Sequence, residues 1–523
     1  MNIQELVQQY ARLPQLSALA NELGKSSVKT IFLEGLLGSS APMLFASLVK
    51  KCPRRMLFVL QDAEEAGYFY HDLSQMMGTH DVLFFPSSYR RAVKYAQRDP
   101  ASEILRTEVL ARLTSHSTPL TSHLYIVTYP DALAELVVSQ QNLESRTLVL
   151  SKDQTIAVSD IENTLREFGF HEVDYVYEPG QFALRGSILD VYSFSCEYPY
   201  RIDFFGDDID SIRTFEVESQ LSKEQRDHVE IVPELTVTAD SKVPFLSFVP
   251  DDVLLVTKDF LYVRDTIDRV YQDGFSAQAK REQLETATEM EQQEIERQMR
   301  KELQLITGAQ FMDGAKALRR IEFGHRSSAP HASLVALNFN TAMQPLFHKN
   351  FDLLTQSFAD FLSQGYRIYI LADSQKQNER LKDIFAEKSE EVVFTPVDKT
   401  LHEGFVDSDL RICVFTDHQI FDRFHKYNLK SDKARSGKMA LTLKEIQQFE
   451  VGDFVVHVDH GVGKFGGLVR MPQGDGYQEM IKIIYQNGDS IYVSIHSLYK
   501  VSKYKSQDNG EPPRLSSLGT GQW

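Results

Sequence analysis

Cysteine is scarce in this chain of 523 residues: Cys52, Cys196 and Cys413 are its three. They lie far apart and make no CxxC pair, which excludes a disulfide framework and suits a reducing compartment. No apolar run approaches the roughly 18 residues that a membrane helix needs. The opening MNIQELVQQYARL is amphipathic, carries Glu5 and has no cleavage site, so no secretory leader and a cytoplasmic location are expected. Positive charge is also short: 56 Lys and Arg face 73 Asp and Glu, for a net −17. That balance excludes a chain whose whole surface coats nucleic acid, because such binding runs on cations displacing counterions. A local basic groove remains compatible with it.

What is present is ordinary for a soluble globular protein, with 42% hydrophobic and 25% charged residues. The length implies about three to five domains. From Val28 onward, strands (VKTIFLEG, RMLFVLQD, DVLFFPSS, LYIVTYP) alternate with helices (MLFASLVKK, EEAGYFYHDLSQMM), the pattern of an α/β layer on a parallel sheet. A second such pattern runs from Asn350 to His425. The stretch AQAKREQLETATEMEQQEIERQMRKELQ, with Lys280, Arg281, Arg297, Arg300 and Lys301 interleaved with acids, reads as a solvated helical face.

The most informative absence is a lysine. A phosphate loop needs glycines for close backbone approach, Lys for charge and a hydroxyl for magnesium. The turn after the first strand offers Gly35, Gly38, Ser39 and Ser40, but no Lys. Gly24-Lys25-Ser26 precedes the strand, and the later Gly-Lys pairs at Gly437 and Gly463 lack the hydroxyl. A nucleotide fold without its nucleotide is expected here: no bound cofactor, no metal and no catalytic residue.

Between Leu148 and Pro233 the strands shorten and helix becomes scarce. In RIDFF the alternation of a strand places Ile202 and Phe204 on one face and Arg201, Asp203 and Phe205 on the other. The same count puts Arg185 opposite Phe182 and Leu184, and Arg213 opposite Ile212. If the apolar face is the core, Arg185, Arg201, Asp203, Phe205 and Arg213 form an outer face rich in the residue types that dominate interfaces.

The last module, VGDFVVHVDHGVGKFGGLVRM and onward, carries about five short strands in about 60 residues, a small Tudor- or SH3-like β-barrel. Phe454, Val456 and Val458 are expected to face its core. Ile481, Ile483 and Tyr485 oppose Met480, Lys482 and Ile484. Asn487-Gly488 predicts a two-residue hairpin turn, followed by a strand through Ile491, Val493 and Ile495. His457, Asp459 and His460 give at most three convergent ligands without cysteine, so they read as a barrel corner rather than a metal centre. In that corner Asp459 and His460 bond backbone, while Gly461 and Gly463 supply unusual φ. The strand GGLVRM ahead of Pro472 is expected at an edge, where Leu468, Val469, Arg470 and Met471 could pair with a partner strand.

Two stretches resemble known families. EPGQFALRGSILDVY…YPYRIDFFGDDIDSIRTFEVESQLS is similar to the UvrA-binding domain shared by UvrB-type repair helicases and the transcription-repair coupling factors, apart from Ser193, where the family often has Pro. FEVGDFVVHVDHGVGKFGGL…YQEMIKIIYQNGDSIYVSIHSLYKVSKY resembles the polymerase-binding barrel of the CarD family. Together they resemble the N-terminal portion of the coupling-factor family. The resemblance implies a multidomain α/β and α+β chain: 1–147 a degenerate RecA/P-loop-like UvrB-homology domain, 148–233 the inserted UvrA-binding domain and 234–345 a further UvrB-like domain with charged helices. After these come 346–428, an α/β domain of unassigned role, 429–441 a linker, 442–505 the RNA polymerase-interacting barrel and 506–523 an exposed linker. It implies UvrA and the RNA polymerase β subunit as partners. Double-stranded DNA, ATP and magnesium would belong mainly to a translocase beyond residue 523. The competing expectations are an ATP-dependent UvrB-like helicase module, against which the missing Lys argues, and a CarD-like transcription regulator.

Overall fold

The computed structural model describes residues 1–88, 100–114, 123–217, 219–235, 242–273, 305–326, 334–388, 393–423, 451–457, 460–473, 476–494, 501–503 and 515–516. The charged segment 277–304, including Lys280, Arg281, Arg297, Arg300 and Lys301, lies outside them, as do the 429–441 linker, Val458, Asp459 and Ile495. Two compact units emerge: 1–98 with 109–140 and 239–429, and 99–108 with 141–238 and 430–523.

The first unit is built on a seven-stranded parallel sheet. Its order is Leu334–Asn338, Thr30–Glu34, Arg320–Phe323, Leu254–Lys258, Met56–Val59, Tyr125–Thr128, Val82–Phe85. Its central strands are apolar along nearly their whole length because helices cover a parallel sheet on both faces. Every residue of Met56–Val59 and Tyr125–Thr128 is buried. Helix Ala63–Met77 starts where Asp62 accepts from the N–H groups of Glu64 and Glu65, satisfying donors that the first turn leaves open. Residues 234–345 do not stand apart as expected. Their strands Leu254–Lys258 and Arg320–Phe323 insert between the first two strands of the chain, and Leu334–Asn338 adds the edge. Sequence neighbours in a parallel sheet need not be spatial neighbours, so chain order alone could not reveal the closure.

A second sheet in this unit runs Thr341–Met343, Phe405–Asp407, Ile412–Thr416, Arg367–Leu371, Thr395–Val397. Helices Phe351–Ser363 and Gln375–Lys388 bury Phe358 and Phe385, which stack at 5.2 Å, against Ile368, Ile370 and Phe415. The N-terminal helix Ile3–Tyr10 docks on this sheet. Its Tyr10 hydroxyl donates to Asp407 at 3.0 Å and the Ile3 N–H to Asp398 at 2.9 Å.

In the second unit a six-stranded sheet follows the order Ser222–Arg226, Asp208–Phe215, Tyr200–Phe205, Ile188–Val191, Gln181–Arg185, His171–Glu172. Phe182, Leu189, Ile202, Phe204 and Ile212 line one face and pack on Ile161 and Leu165 of helix Val158–Glu167.

The last module is a five-stranded antiparallel sheet ordered Ser490–Ser494, Gly476–Ile484, Gly461–Gln473, Phe454–His457, Val501–Lys503. Ile481, Ile483, Tyr485 and Val493 are buried as the alternation predicts. The first strand is not: Val455 and His457 face inward, while Phe454 and Val456 are only half-buried. The stretch FVVH is apolar on both parities, so composition could not fix its face. Asn487-Gly488 is not a two-residue turn. A 3₁₀ turn, Gln486–Gly488, makes the connection, closed by the Tyr485 N–H on Asp489 O at 2.7 Å. Of the tail expected as an exposed linker, Leu515 and Ser516 lie on this sheet. Ser516 accepts the Val462 N–H on its hydroxyl at 2.9 Å and returns its own N–H to Val462 O at 2.8 Å.

Candidate docking surfaces

The glycine turn after the first strand is filled from within. Gly35 and Gly38 hold φ of +87° and +55°, a region costly for other residues. A Cβ on Gly35 would meet Phe339 O at 2.1 Å, and one on Gly38 would meet Gly404 O at 2.8 Å. The Ser39 N–H donates to Glu403 O at 3.1 Å, while the Ser39 hydroxyl accepts the Glu403 N–H at 2.9 Å and donates to Asp72 at 2.5 Å. Asp72 also accepts the His402 N–H at 2.7 Å. Burial pushes its carboxyl up to about 7, more than the bonds from Ser39 and His402 pull it down, and Glu403 raises it further. The turn 402–404 thus occupies the backbone donor and the hydroxyl that a phosphate would use. Ser40, the loop's other hydroxyl, is buried in the first turn of helix Ser40–Leu48.

A cavity of about 940 Å³ lies beside this turn, at the carboxyl ends of the parallel strands. Glu65, Lys258, Asp259, His402 and Arg423 line it. Lys258 pairs with Glu65 across it. Lys258, one of the cations lining the cavity, is therefore already engaged with an acid of the fold.

The outer face of the six-stranded sheet carries Arg185, Arg201, Asp203, Phe205 and Arg213. Phe205 is 83% exposed, at the end of its strand beside the Gly206 turn, while its neighbour Phe204 is buried. The arginines are less free than the alternation implied. Arg201 forks onto Asp190, Nε to Oδ1 at 2.7 Å and Nη2 to Oδ2 at 2.8 Å, and its side chain is only 13% exposed. Arg185 reaches the same carboxylate, and Arg213 pairs with Asp203. Arg201 also lies 4.1 Å from the centre of the Phe215 ring, and Arg185 4.8 Å from that of Tyr175. Asp190 was missed in the sequence. The available signal was its outward parity on a strand flanked by two arginine-bearing strands.

On the five-stranded sheet, strand Gly461–Gln473 pairs with Phe454–His457 only through Gly461–Lys464 and with Gly476–Ile484 along the rest. The register shifts between Phe465 and Leu468, where Gly467 takes φ +95°. Beyond this bulge, Leu468 to Gln473 have no strand pairing on their second edge among the described residues. The four expected contact residues do not share a face. Val469 and Met471 stand opposite Met480 and Gln478, while Leu468 and Arg470 stand opposite Ile481 and Glu479. Leu468 is 41% exposed; the side chain of Arg470 lies outside the described residues. At the corner, the His460 ring stacks on buried His457 at 4.8 Å, and the His460 N–H donates to His457 O at 3.3 Å. Gly461 has φ +76°, as expected. Gly463 does not contribute an unusual φ. It leaves room, since a Cβ there would sit 2.5 Å from Ile483 Cγ2.

Residues 148–236 match the UvrB interaction domain family, and residues 449–505 match the CarD-like/TRCF RID domain family. Over 95% of its length the chain is 22% identical to a transcription-repair-coupling factor of Bacillus subtilis, covering 47% of that protein. With the protein of the same name from Staphylococcus haemolyticus, identity is 23% over 95% of the chain and 47% of the relative. With that of Staphylococcus aureus strain RF122 it is 23% over 94% and 46%. The chain spans about half the length of the curated relatives it matches.

Proposed function

We propose that this chain, related along 95% of its length to the transcription-repair-coupling factors, is the docking portion of such a factor. One surface recruits UvrA to damaged DNA and another holds stalled RNA polymerase. The observation that carries this reading is Phe205, 83% exposed on a sheet that falls within the match to the UvrB interaction domain. A large apolar side chain at the end of a strand, beside a rigid frame of arginine–aspartate pairs, is the kind of anchor that partner recognition favours. Arg185, Asp203 and Arg213 lie on the same face of that sheet.

The matched CarD-like/TRCF RID domain is read as a small barrel, and the free edge of Leu468–Gln473 as the place where a strand of the polymerase β subunit adds. The seven-stranded domain is read as a degenerate RecA-like fold that hydrolyses no ATP, because Glu403 and Asp72 take up the loop donors. ATP, magnesium and most contact with double-stranded DNA are assigned to the remaining half of the relatives' length, and a cytoplasmic setting follows from this role.

Binding of the purified chain to UvrA and to polymerase β, measured separately, tests the reading. Two positive results support it. Loss of the UvrA arm leaves a CarD-like regulator, and micromolar ATP affinity for the chain would favour a helicase module instead.

A further inference from the structure

Asp190 is the feature of the arginine-bearing face that the docking reading leaves unused. It sits mid-strand, between Ala183 on one side and Arg201 on the other. Its carboxylate is 1% exposed, yet it lies on the outer side of the sheet, opposite buried Leu189. Three donors converge on it: Arg201 Nε and Nη2, and Arg185 Nη2. Arg201 is held further by Gln220, whose Oε1 accepts from Nη2 at 2.8 Å and whose carbonyl accepts from Nη1 at 3.4 Å. Arg185 is held further by the Asp174 carbonyl at 2.9 Å.

A buried carboxylate needs compensation, and a forked guanidinium supplies two parallel bonds to it. One arginine would have met that need. Two arginines on one buried aspartate leave a net charge of +1, and the less buried guanidinium is that of Arg185, 35% exposed. The adjoining Arg213–Asp203 pair adds no net charge. Among these five residues, the positive charge offered to a partner is therefore concentrated at Arg185, with its direction set from beneath.

We infer that Asp190 is a positioning residue for the docking face: it fixes the guanidinium groups of Arg185 and Arg201 before a partner arrives, so that Arg185 presents its charge to an acidic group of that partner. This inference rests on the reading of the face as the UvrA-binding surface. Without Asp190, both side chains regain rotamer freedom that binding must then remove. The loss is expected as faster dissociation, since differences among variants of one interface lie mostly there.

The test uses the whole chain and purified UvrA, with Asp190→Asn and Arg201→Lys compared with wild type and Phe205→Ala. Arg201→Lys keeps the charge beside Asp190 but loses the fork, so it decides the matter if Asp190→Asn fails to fold. Wild type that does not bind UvrA rejects the docking reading itself. If wild type binds and Phe205→Ala does not, the reading stands and the positioning role is tested alone. The expected result is a Kd about tenfold weaker for the folded Asp190 or Arg201 variant, through dissociation, with a changed salt dependence. An unchanged Kd and salt dependence in a folded variant, with only the melting temperature lowered, overturns the inference and leaves Asp190 a structural residue.

Discussion

The hydroxyl of Ser39 stands 2.5 Å from Oδ2 of Asp72, and both side chains are buried. With the Glu403 N–H on the same hydroxyl and the His402 N–H on the same carboxylate, this pair ties the glycine turn of the first sheet to the turn that precedes Phe405–Asp407. The glycine loop thereby serves as a joint between two sheets of one unit.

Asp72 makes that joint pH-dependent. Its carboxyl titrates about 7 in the fold against 3.8 for an ordinary aspartate, with burial the main cause. Between those values the folded chain keeps a proton that the unfolded chain has lost. Stability therefore falls as pH rises from about 4 to about 7, by up to about 4 kcal/mol, and is level above that. Asp72→Asn mimics the protonated carboxyl and does not titrate, so the melting temperature of wild type should fall progressively below that of Asp72→Asn as pH rises across this range. A constant gap would mean that Asp72 is ionised throughout.

Ser39→Lys places a cation in the glycine turn, yet it should not confer nucleotide binding. Removing the hydroxyl strands the Glu403 N–H and leaves Asp72 with the His402 N–H in place of two donors, for a destabilisation of about 1–3 kcal/mol. Equilibrium dialysis with ATP and a thermal melt check both halves. Micromolar ATP affinity in this variant would show that the turn 402–404 is not the obstacle.

Phe205→Ala removes an exposed side chain, so the stability change should stay within about 0.5 kcal/mol. UvrA affinity should fall by about 2 kcal/mol, roughly 30-fold. Calorimetry against UvrA reads the second effect and denaturant unfolding the first.

Met471→Arg should weaken binding to polymerase β by about tenfold or more, because it puts a long cation where Val469 and Met480 form the face of the ribbon. Wild-type affinity in this variant would move the contact to another edge.

Gly463→Ala tests the same module from inside. The added carbon must displace Ile483 Cγ2, 2.5 Å away, for a cost of about 1–3 kcal/mol. Hydrogen exchange across Phe454–His457 and Gly476–Ile484 should quicken and polymerase β binding should drop, with UvrA binding retained. Unchanged exchange would show that the sheet relaxes around the methyl.

Strand alternation made the arginine face legible where a strand has one apolar and one polar side. In RIDFF it separated Ile202 and Phe204, both buried, from exposed Phe205. It failed where both parities are apolar, as at Val455 and Val456. Period also says nothing about what an outward side chain does next. Arg201 points outward and is nonetheless covered, because Asp190 and Gln220 arrive from other strands and turns. The filling of the glycine turn was illegible for a similar reason. A missing lysine can be read in a sequence, but Glu403 lies 364 residues from Ser39, and only folding brings them together.

The incoming and outgoing ends of the inserted region lie side by side, since Val137–Val138 pairs antiparallel with Lys242–Val243. Ten residues further in, Leu148–Ser151 pairs the same way with His228–Ile231. Each pairing holds its two chain segments together by backbone hydrogen bonds, so neither segment parts from the other without breaking a ladder.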